Sequence, residues 1–238
     1  MNKYEIIKKI EKFAPNETAE PWDCVGFMAE TKNEEISKIM LCLTPTEKVI
    51  KQALSQNCDM IISHHPMFEF NLNSELITEN FAPKIDIYSA HTNMDKADGG
   101  TTDTVITTLG LDDFKRPINH EFLKMVEFPN SIAVEDFSAK MRKISPNLRY
   151  VNNNNEKTIS KVMFCAGSGS EFIKEAQLLG ADCLVTGDLK FHTALDAEIV
   201  VFDIGHFDSE IIILPVFKNI IGSDVEIIFA NEKSPFIV

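Results

Sequence analysis

Basic residues are scarce in this sequence. Its 238 residues carry 23 lysines and arginines against 36 aspartates and glutamates, a formal net charge of −13. Such a surface repels a phosphate backbone, and no basic stripe stands out, which argues against direct nucleic-acid binding. Long apolar runs are missing too: no stretch of ~18 apolar residues occurs, which excludes a membrane-spanning helix. The opening MNKYEIIKKIEKF alternates charge with apolar residues at helical spacing. It lacks the continuous apolar centre of a secretory leader, so the expected location is cytoplasmic. Cysteine is limited to five residues, Cys24, Cys42, Cys58, Cys165 and Cys183, with no C-x-x-C. An odd count without that spacing argues against a disulfide framework and against a zinc ribbon. Cys42, Cys165 and Cys183 lie in apolar runs and read as small core residues.

What is present is an ordinary globular composition, 44% hydrophobic and 25% charged, enough for one large domain or two small ones. Ile6, Ile7, Ile10 and Phe13 mark an amphipathic first helix. The apolar strand KIMLCL (38–43) is followed by TPTE. There Thr44 reads as the helix cap, Pro45 as the first helical residue and Glu47 as its capping-box partner. The helix is expected to reach about Asn57. A second strand, Met60 to Ser63, then runs into His64-His65-Pro66. KIDIYSAH reads as a strand ending at His91, and TTDTVITTLG as a short helix closed by Gly110. A less regular stretch covers 112–160, with a strand at 122–128 and a helix at 134–143. The pattern then resumes: strand 161–166, a glycine turn, helix 170–179, strand 182–186, the strand EIVVFDIGH, a long helix from about Asp208, and the strand EIIF. Strands alternating with helices mean α/β.

An internal repeat organises this alternation. Residues 38–68 align without a gap on 161–191 at an offset of 123, with Lys38, Met40, Cys42, Ile50, Lys51, Ala53, Asp59 and Phe68 matching Lys161, Met163, Cys165, Ile173, Lys174, Ala176, Asp182 and Phe191. Agreement at charged as well as apolar positions points to duplication, with two related lobes of βαβ units, 1–111 and 112–238. The final helix and strand are candidates to pack back on the first lobe. In this register His65 falls on Asp188. The strands that follow end in SAHTNMD and DIGHFDSE, setting His91 beside His206 and Asp95 beside Glu210.

Open α/β sheets place ligands at carboxyl strand ends. There the sequence gathers His64, His65, His91, Asp95, Asp103, Asp188, His192, His206 and Glu210, five of its six histidines. Pro66 turns the chain straight after His65, which allows neighbouring imidazoles to splay toward one pocket. His206 and Glu210, four apart, share a face on a helical turn. Asp103 in the first turn of a helix is also favoured by the helix dipole alone. Imidazoles mixed with carboxylates and no thiolate suit zinc, iron, manganese or nickel rather than calcium or magnesium. The turn AGSGSEF (166–172) reads as a tight turn between strand and helix, with anion binding as the lesser alternative.

Four ordered motifs, HHP, SAHTNMDKADGGTTD, TGDLKFH and GHFDSE, together with AEPWDCVGF near the amino terminus, resemble the NIF-three-like family. Its bacterial members are known as GTP cyclohydrolase 1 type 2 homologs. Several things are implied by that resemblance. The fold would be two α/β lobes with a dinuclear metal site in the cleft between them, and the assembly a toroidal homohexamer. The ligands to two divalent ions would be His64, His65, Asp103, His206 and Glu210, with Glu210 as the bridge. His91 and Asp95 would then support the ligands or face the substrate. The activity implied is metal-dependent hydrolysis of a purine nucleotide. His192 and Asp188 are the proton-transfer candidates, and they lie four apart, so on a helical turn the two would share a face. A metal-binding or metal-delivery protein for cofactor assembly is the non-enzymatic alternative. The chain departs from the family pattern at Cys24, where asparagine is usual, and at Phe27, where leucine is usual. It is also the short form, without an inserted domain.

Overall fold

The computed structural model describes residues 1–67 and 84–236. The chain divides into two compact units, Met1–Ala97 with Ile213–Lys233, and Asp98–Ile212 with the segment from Ser234.

The first unit opens with α1 (Lys3–Phe13), capped by the Asn2 side chain and burying Ile6, Ile7 and Ile10. β1 (Gly26–Ala29), β2 (Lys38–Cys42), α2 (Glu47–Ser55), β3 (Met60–Ser63), β4 (Asp86–Ser89) and α3 (Thr92–Lys96) follow. The cap of α2 is Thr46, whose hydroxyl accepts from the Val49 amide at 3.3 Å, not Thr44. Pro45 therefore precedes the helix, and Thr44 keeps its hydroxyl for another partner. Late in the chain, α9 (Leu214–Ile221) packs on α1, and β11 (Glu226–Phe229) pairs in parallel with β2. The sheet order is β1-β4-β3-β2-β11, parallel except for the β1 edge. β3 and β4 are buried along their whole length, as central parallel strands are, and β3 accordingly reads as a near-continuous apolar run.

The second unit holds α4 (Thr101–Thr108), the hairpin β5 (Lys115–His120) and β6 (Leu123–Ala133), α5 (Val134–Met141), β7 (Arg149–Val151), β8 (Thr158–Phe164), α6 (Ile173–Leu178), β9 (Cys183–Thr186), α7 (Phe191–Leu195), β10 (Val200–Asp203) and α8 (His206–Glu210). Its sheet runs β5-β6-β8-β9-β10-β7, with β8, β9 and β10 parallel. Val162, Phe164, Cys183, Val185, Val200 and Phe202 face one core of this unit, and Met163, Leu184 and Val201 the other. The long helix expected from Asp208 is instead three pieces. α8 starts at His206, a 3₁₀ turn covers Ile211–Ile213, and α9 begins again with Pro215 in its first turn. Proline has no amide to donate and cannot continue the preceding turn.

The repeat is visible in the register of both sheets. Ile39 lies opposite Met60 in the first, and Val162 opposite Cys183 in the second, each member 123 positions on. The matched pair Phe68 and Phe191 is not comparable, because Phe68 lies outside the described residues. The next strand shifts the comparison. Met60 pairs with Asp86 and Cys183 with Val200, an offset of 114. His91 is therefore equivalent to Gly205, and His206 to Thr92, one residue away from the match suggested by SAHTNMD and DIGHFDSE. Both His91 and Gly205 stand at the N-cap of the short helix that follows the strand.

Candidate metal centre

In the first unit, β3 and β4 deliver three imidazoles to one place. The amide of His64 donates to Cys42 O at 3.2 Å and that of His65 to Leu43 O at 2.8 Å, so both residues stay tied to the end of β2. The Ser89 hydroxyl donates to the His64 carbonyl and the Ser63 hydroxyl to the His65 carbonyl, each at 2.8 Å. These hooks hold the backbone where Pro66 ends the ladder, and the two neighbouring rings come to 5.1 Å between centroids. The His91 ring is 5.2 Å from that of His64 and 5.4 Å from that of His65. One nitrogen from each of the three lies within 4.8 Å of the others.

Each ring has a fixed second partner. His64 Nδ1 is 3.1 Å from Ala90 O. A carbonyl only accepts, so Nδ1 carries a proton, and Nε2 faces Asp95 Oδ1, 3.5 Å away. An imidazole nitrogen beside a carboxylate oxygen is a donor set that a divalent cation can use. His65 Nδ1 is 2.8 Å from the Thr44 hydroxyl. His91 Nδ1 is 3.0 Å from Asp23 Oδ1, while Asp23 Oδ2 accepts from the Thr92 amide at 3.0 Å. Burial pushes the Asp23 carboxyl up, but the bonds from His91 and Thr92 outweigh it and hold the group well below the usual carboxylate range. This is the arrangement that orients metal-binding or proton-transferring imidazoles. The sequence does not mark Asp23 and Thr44 as partners of these rings. Both stand in irregular loops, where no periodicity tells which way a side chain points, though Asp23 lies within the AEPWDCVGF motif.

In the second unit, His206 and Glu210 share a face of α8, as their spacing predicted, with Nε2 to Oε2 at 2.9 Å. His206 Nδ1 is 2.7 Å from Asp188 Oδ2. Burial lowers the affinity of this ring for a proton, yet the two flanking carboxylates prevail and raise its pKa to about 10. The hydrogen bond from His206, opposed by burial, leaves the Asp188 carboxyl below its ordinary value. Glu210 is buried against Gly167, where an added Cβ would stand 2.2 Å from its Oε1. Gly167 also has φ +67, so both the backbone and the carboxylate require glycine there. The amides of Gly167 and Gly169 donate to Ser209 and Thr186 hydroxyls, at 3.0 and 2.8 Å. AGSGSEF is thus an internally satisfied turn that seats a carboxylate.

Two expected residues are placed otherwise. Asp103 lies in the first turn of α4, and both its oxygens are engaged. Oδ2 accepts from Lys124 Nζ at 2.7 Å and from the Gly99 amide at 2.8 Å, and Oδ1 pairs with Arg116. Burial opposes ionisation, and these donors overcome it to keep Asp103 below the ordinary range. A metal ion would have to displace two cations. His192 is exposed on α7, its ring 5.4 Å from that of Phe191. It does not share a helix with Asp188, which precedes α7 in a left-handed turn with φ +54 and is bonded to His206 instead.

Comparison with known proteins agrees with this architecture. The family model Duf34/NIF3 (NGG1p interacting factor 3) matches residues 1–235. A GTP cyclohydrolase 1 type 2 homolog from Clostridium perfringens is 35% identical over 98% of this chain and 97% of its own length. NIF3-like protein 1 of Drosophila melanogaster is 30% identical over 80% of this chain and 70% of its own. Among solved structures, reduced HcgD from Methanocaldococcus jannaschii superposes with a TM-score of 0.82 at 28% identity, covering 98% of each chain. Staphylococcus aureus protein SA1388 shares the fold, with a TM-score of 0.84 at 23% identity over 100% of this chain and 99% of that one.

Proposed function

The chain belongs to the Duf34/NIF3 family, and from that premise we propose that it binds two divalent metal ions and uses them to hydrolyse a purine nucleotide. The donors in this reading are His64, His65 and Asp95 from the first unit and His206 and Glu210 from the second. Asp95 takes the role expected of Asp103. The observation that carries the reading is the approach of His64 Nε2 to Asp95 Oδ1 at 3.5 Å, beside a group of three oriented imidazoles. Imidazole mixed with carboxylate suits zinc, iron, manganese or nickel. Bound ions would supply an acidified water and a counter-charge for phosphate on a surface otherwise rich in acids. The residues of the chain supply orientation: Asp23, Thr44, Asp188 and the Ala90 carbonyl each fix one ring. His91, with Asp23 behind it, takes the proton-transfer role in place of His192.

Metal delivery is the second reading, and one observation favours it. Asp188 is bound to His206 and His192 is exposed, so the proton-transfer pair expected in the second unit is not formed.

The deciding experiment strips the protein of metal and reloads it with zinc, manganese or ferrous ion. Metal content is then measured beside turnover of GTP and other nucleotides, with the products identified. Two equivalents per chain with nucleotide turnover support the hydrolase. Two equivalents with no turnover under any metal support delivery. A reproducible maximum of one equivalent refutes the two-ion reading. A homohexamer is part of the same proposal, and a solution mass near 26.8 kDa would refute it.

A further inference from the structure

The final segment of the first unit reaches the end of β2 along a fixed path. Ala230 continues the ladder beyond β11, its amide donating to Leu41 O at 2.9 Å. Asn231 is held by the side-chain amide of Gln52 on α2: the Asn231 amide donates to Gln52 Oε1 at 3.0 Å, and Gln52 Nε2 donates to Asn231 O at 3.4 Å. The next residue, Glu232, places its carboxylate on two successive backbone amides. Leu43 N donates to Oε2 at 2.6 Å and Thr44 N to Oε1 at 3.0 Å. Thr44 then meets His65 Nδ1 through its hydroxyl at 2.8 Å.

This carboxylate has no backbone necessity. At the equivalent strand end of the second unit, 123 positions on, the amides of Ala166 and Gly167 donate to the hydroxyls of Thr102 and Ser209, at 3.2 and 3.0 Å. Neutral groups satisfy the same turn there. In the first unit a charged group does so, although burial works against its ionisation and raises its pKa. The amides are neighbours, so a bidentate acceptor fixes the peptide plane between residues 43 and 44 and with it the direction of the Thr44 side chain. Thr44 is not the cap of α2, so its hydroxyl is free to serve the His65 ring.

We infer that Glu232 is a positioning residue for His65: by clamping the Leu43 and Thr44 amides it aims the Thr44 hydroxyl at Nδ1 and leaves Nε2 as the binding nitrogen. The functional meaning rests on the proposed metal site; the effect on the ring does not. The arrangement is the usual one in which the second nitrogen of a ligating imidazole is held so that the tautomer and ring angle are set in advance.

The test reads the His65 ring directly. Nitrogen–proton correlation spectra of ¹⁵N-histidine-labelled, metal-free protein report the tautomer of each imidazole, and His65 is assigned by its loss in His65→Gln. Wild type should show His65 with the proton on Nδ1. Thr44→Val should convert it to a mixture or to the Nε2–H form, and Thr44→Ser should restore the wild-type signal. Glu232→Ala should shift His65 in the same direction as Thr44→Val, and the double variant no further than Thr44→Val alone. Zinc affinity, measured against a competing chelator, should fall roughly 10- to 100-fold in Thr44→Val and about 10-fold in Glu232→Ala. If Glu232→Ala fails to fold, Glu232→Gln keeps the shape and offers one acceptor in place of two, and its His65 signal should move partway. Unchanged His65 shifts in a folded Glu232 variant, even with a lower melting temperature, would show a merely structural clamp and overturn the inference. Should wild type bind no metal while the His65 shifts still follow Glu232, the positioning stands and the metal reading falls.

Discussion

Asp59 and Asp182 perform the same task in the two units. The Oδ2 atom of Asp59 accepts from the amides of Ser37 and Lys38, at 2.8 and 3.0 Å. Asp182 Oδ2 accepts from those of Ser160 and Lys161, at 2.8 and 2.9 Å, and also from the Ser160 hydroxyl. Every partner lies 123 positions from its counterpart. Each carboxylate ties the start of one parallel strand to the loop before the next, so the duplication extends from sheet register to single hydrogen bonds.

The Asp182 carboxyl is held below its ordinary value; burial opposes this, and the Lys161 and Ser160 donors prevail. A depressed folded pKa gives stability that is present above the unfolded value, about 3.9, and is lost as pH falls through the folded one. Asp182→Asn should therefore lower stability at pH 7 by roughly 1–3 kcal/mol. The gap from wild type should narrow as pH drops below 4. Urea unfolding at pH 7 and pH 3.5 measures it, and a gap that widens in acid contradicts the assignment.

Asp95 and Asp103 should separate cleanly. Asp103→Ala takes the 2.7 Å partner from the almost wholly buried Lys124, which keeps Asp98 at 3.7 Å, and a loss of about 1–3 kcal/mol is expected. If the variant folds, its metal affinity should stay near wild type. Asp95→Asn should do the reverse, with little change in melting temperature and at least a tenfold loss of metal affinity. Metal loss confined to Asp103→Ala would return the ligand role to Asp103.

The strands, their alternation with helices, the repeat and the i,i+4 pair of His206 and Glu210 were legible because each is a periodic or short-range property of the chain. Partner choice was not. Asp95 and Asp103 are both acids after a strand end, and only the fold reveals that Lys124 and Arg116, 21 and 13 residues further on, neutralise the second. Thr44 and Thr46 both fit a capping pattern, and only the path of the chain assigns the cap to Thr46. The expected pairing of Asp188 with His192 assumed a helix through both. The left-handed backbone at Asp188 ends that helix before it starts, and Leu189 instead donates its amide to Asp203 Oδ2 at 3.2 Å.

Gly167→Ala tests the seat of Glu210. The substitution meets a positive φ and a carboxylate oxygen 2.2 Å from the new methyl carbon. A destabilisation of roughly 1–3 kcal/mol is expected from backbone strain alone. Displacement of Glu210 should in addition weaken metal binding. Thermal melting with and without zinc separates the two effects: the gain in melting temperature on adding zinc should shrink in the variant. A full zinc-induced gain would mean that Glu210 is not a ligand.

His206 governs the last expectation, on pH. In the metal-free protein its pKa is raised to about 10: burial works to lower it, and the Asp188 and Glu210 carboxylates more than reverse that. A raised folded pKa gives stability fully present below the unfolded value of about 6.5 and lost as pH climbs toward 10. Metal-free wild type should lose stability between pH 7 and 10, and His206→Gln should lose much less over the same range. Metal competes with the proton on Nε2, so zinc affinity should rise with pH across that window. Asp188→Asn removes one of the two carboxylates that hold the proton. It should flatten the rise, while costing roughly 10- to 100-fold in affinity at high pH because the ring loses its orienting partner. Chelator competition at pH 7, 8 and 9 gives both quantities. A zinc affinity independent of pH in wild type would remove His206 from the ligand set.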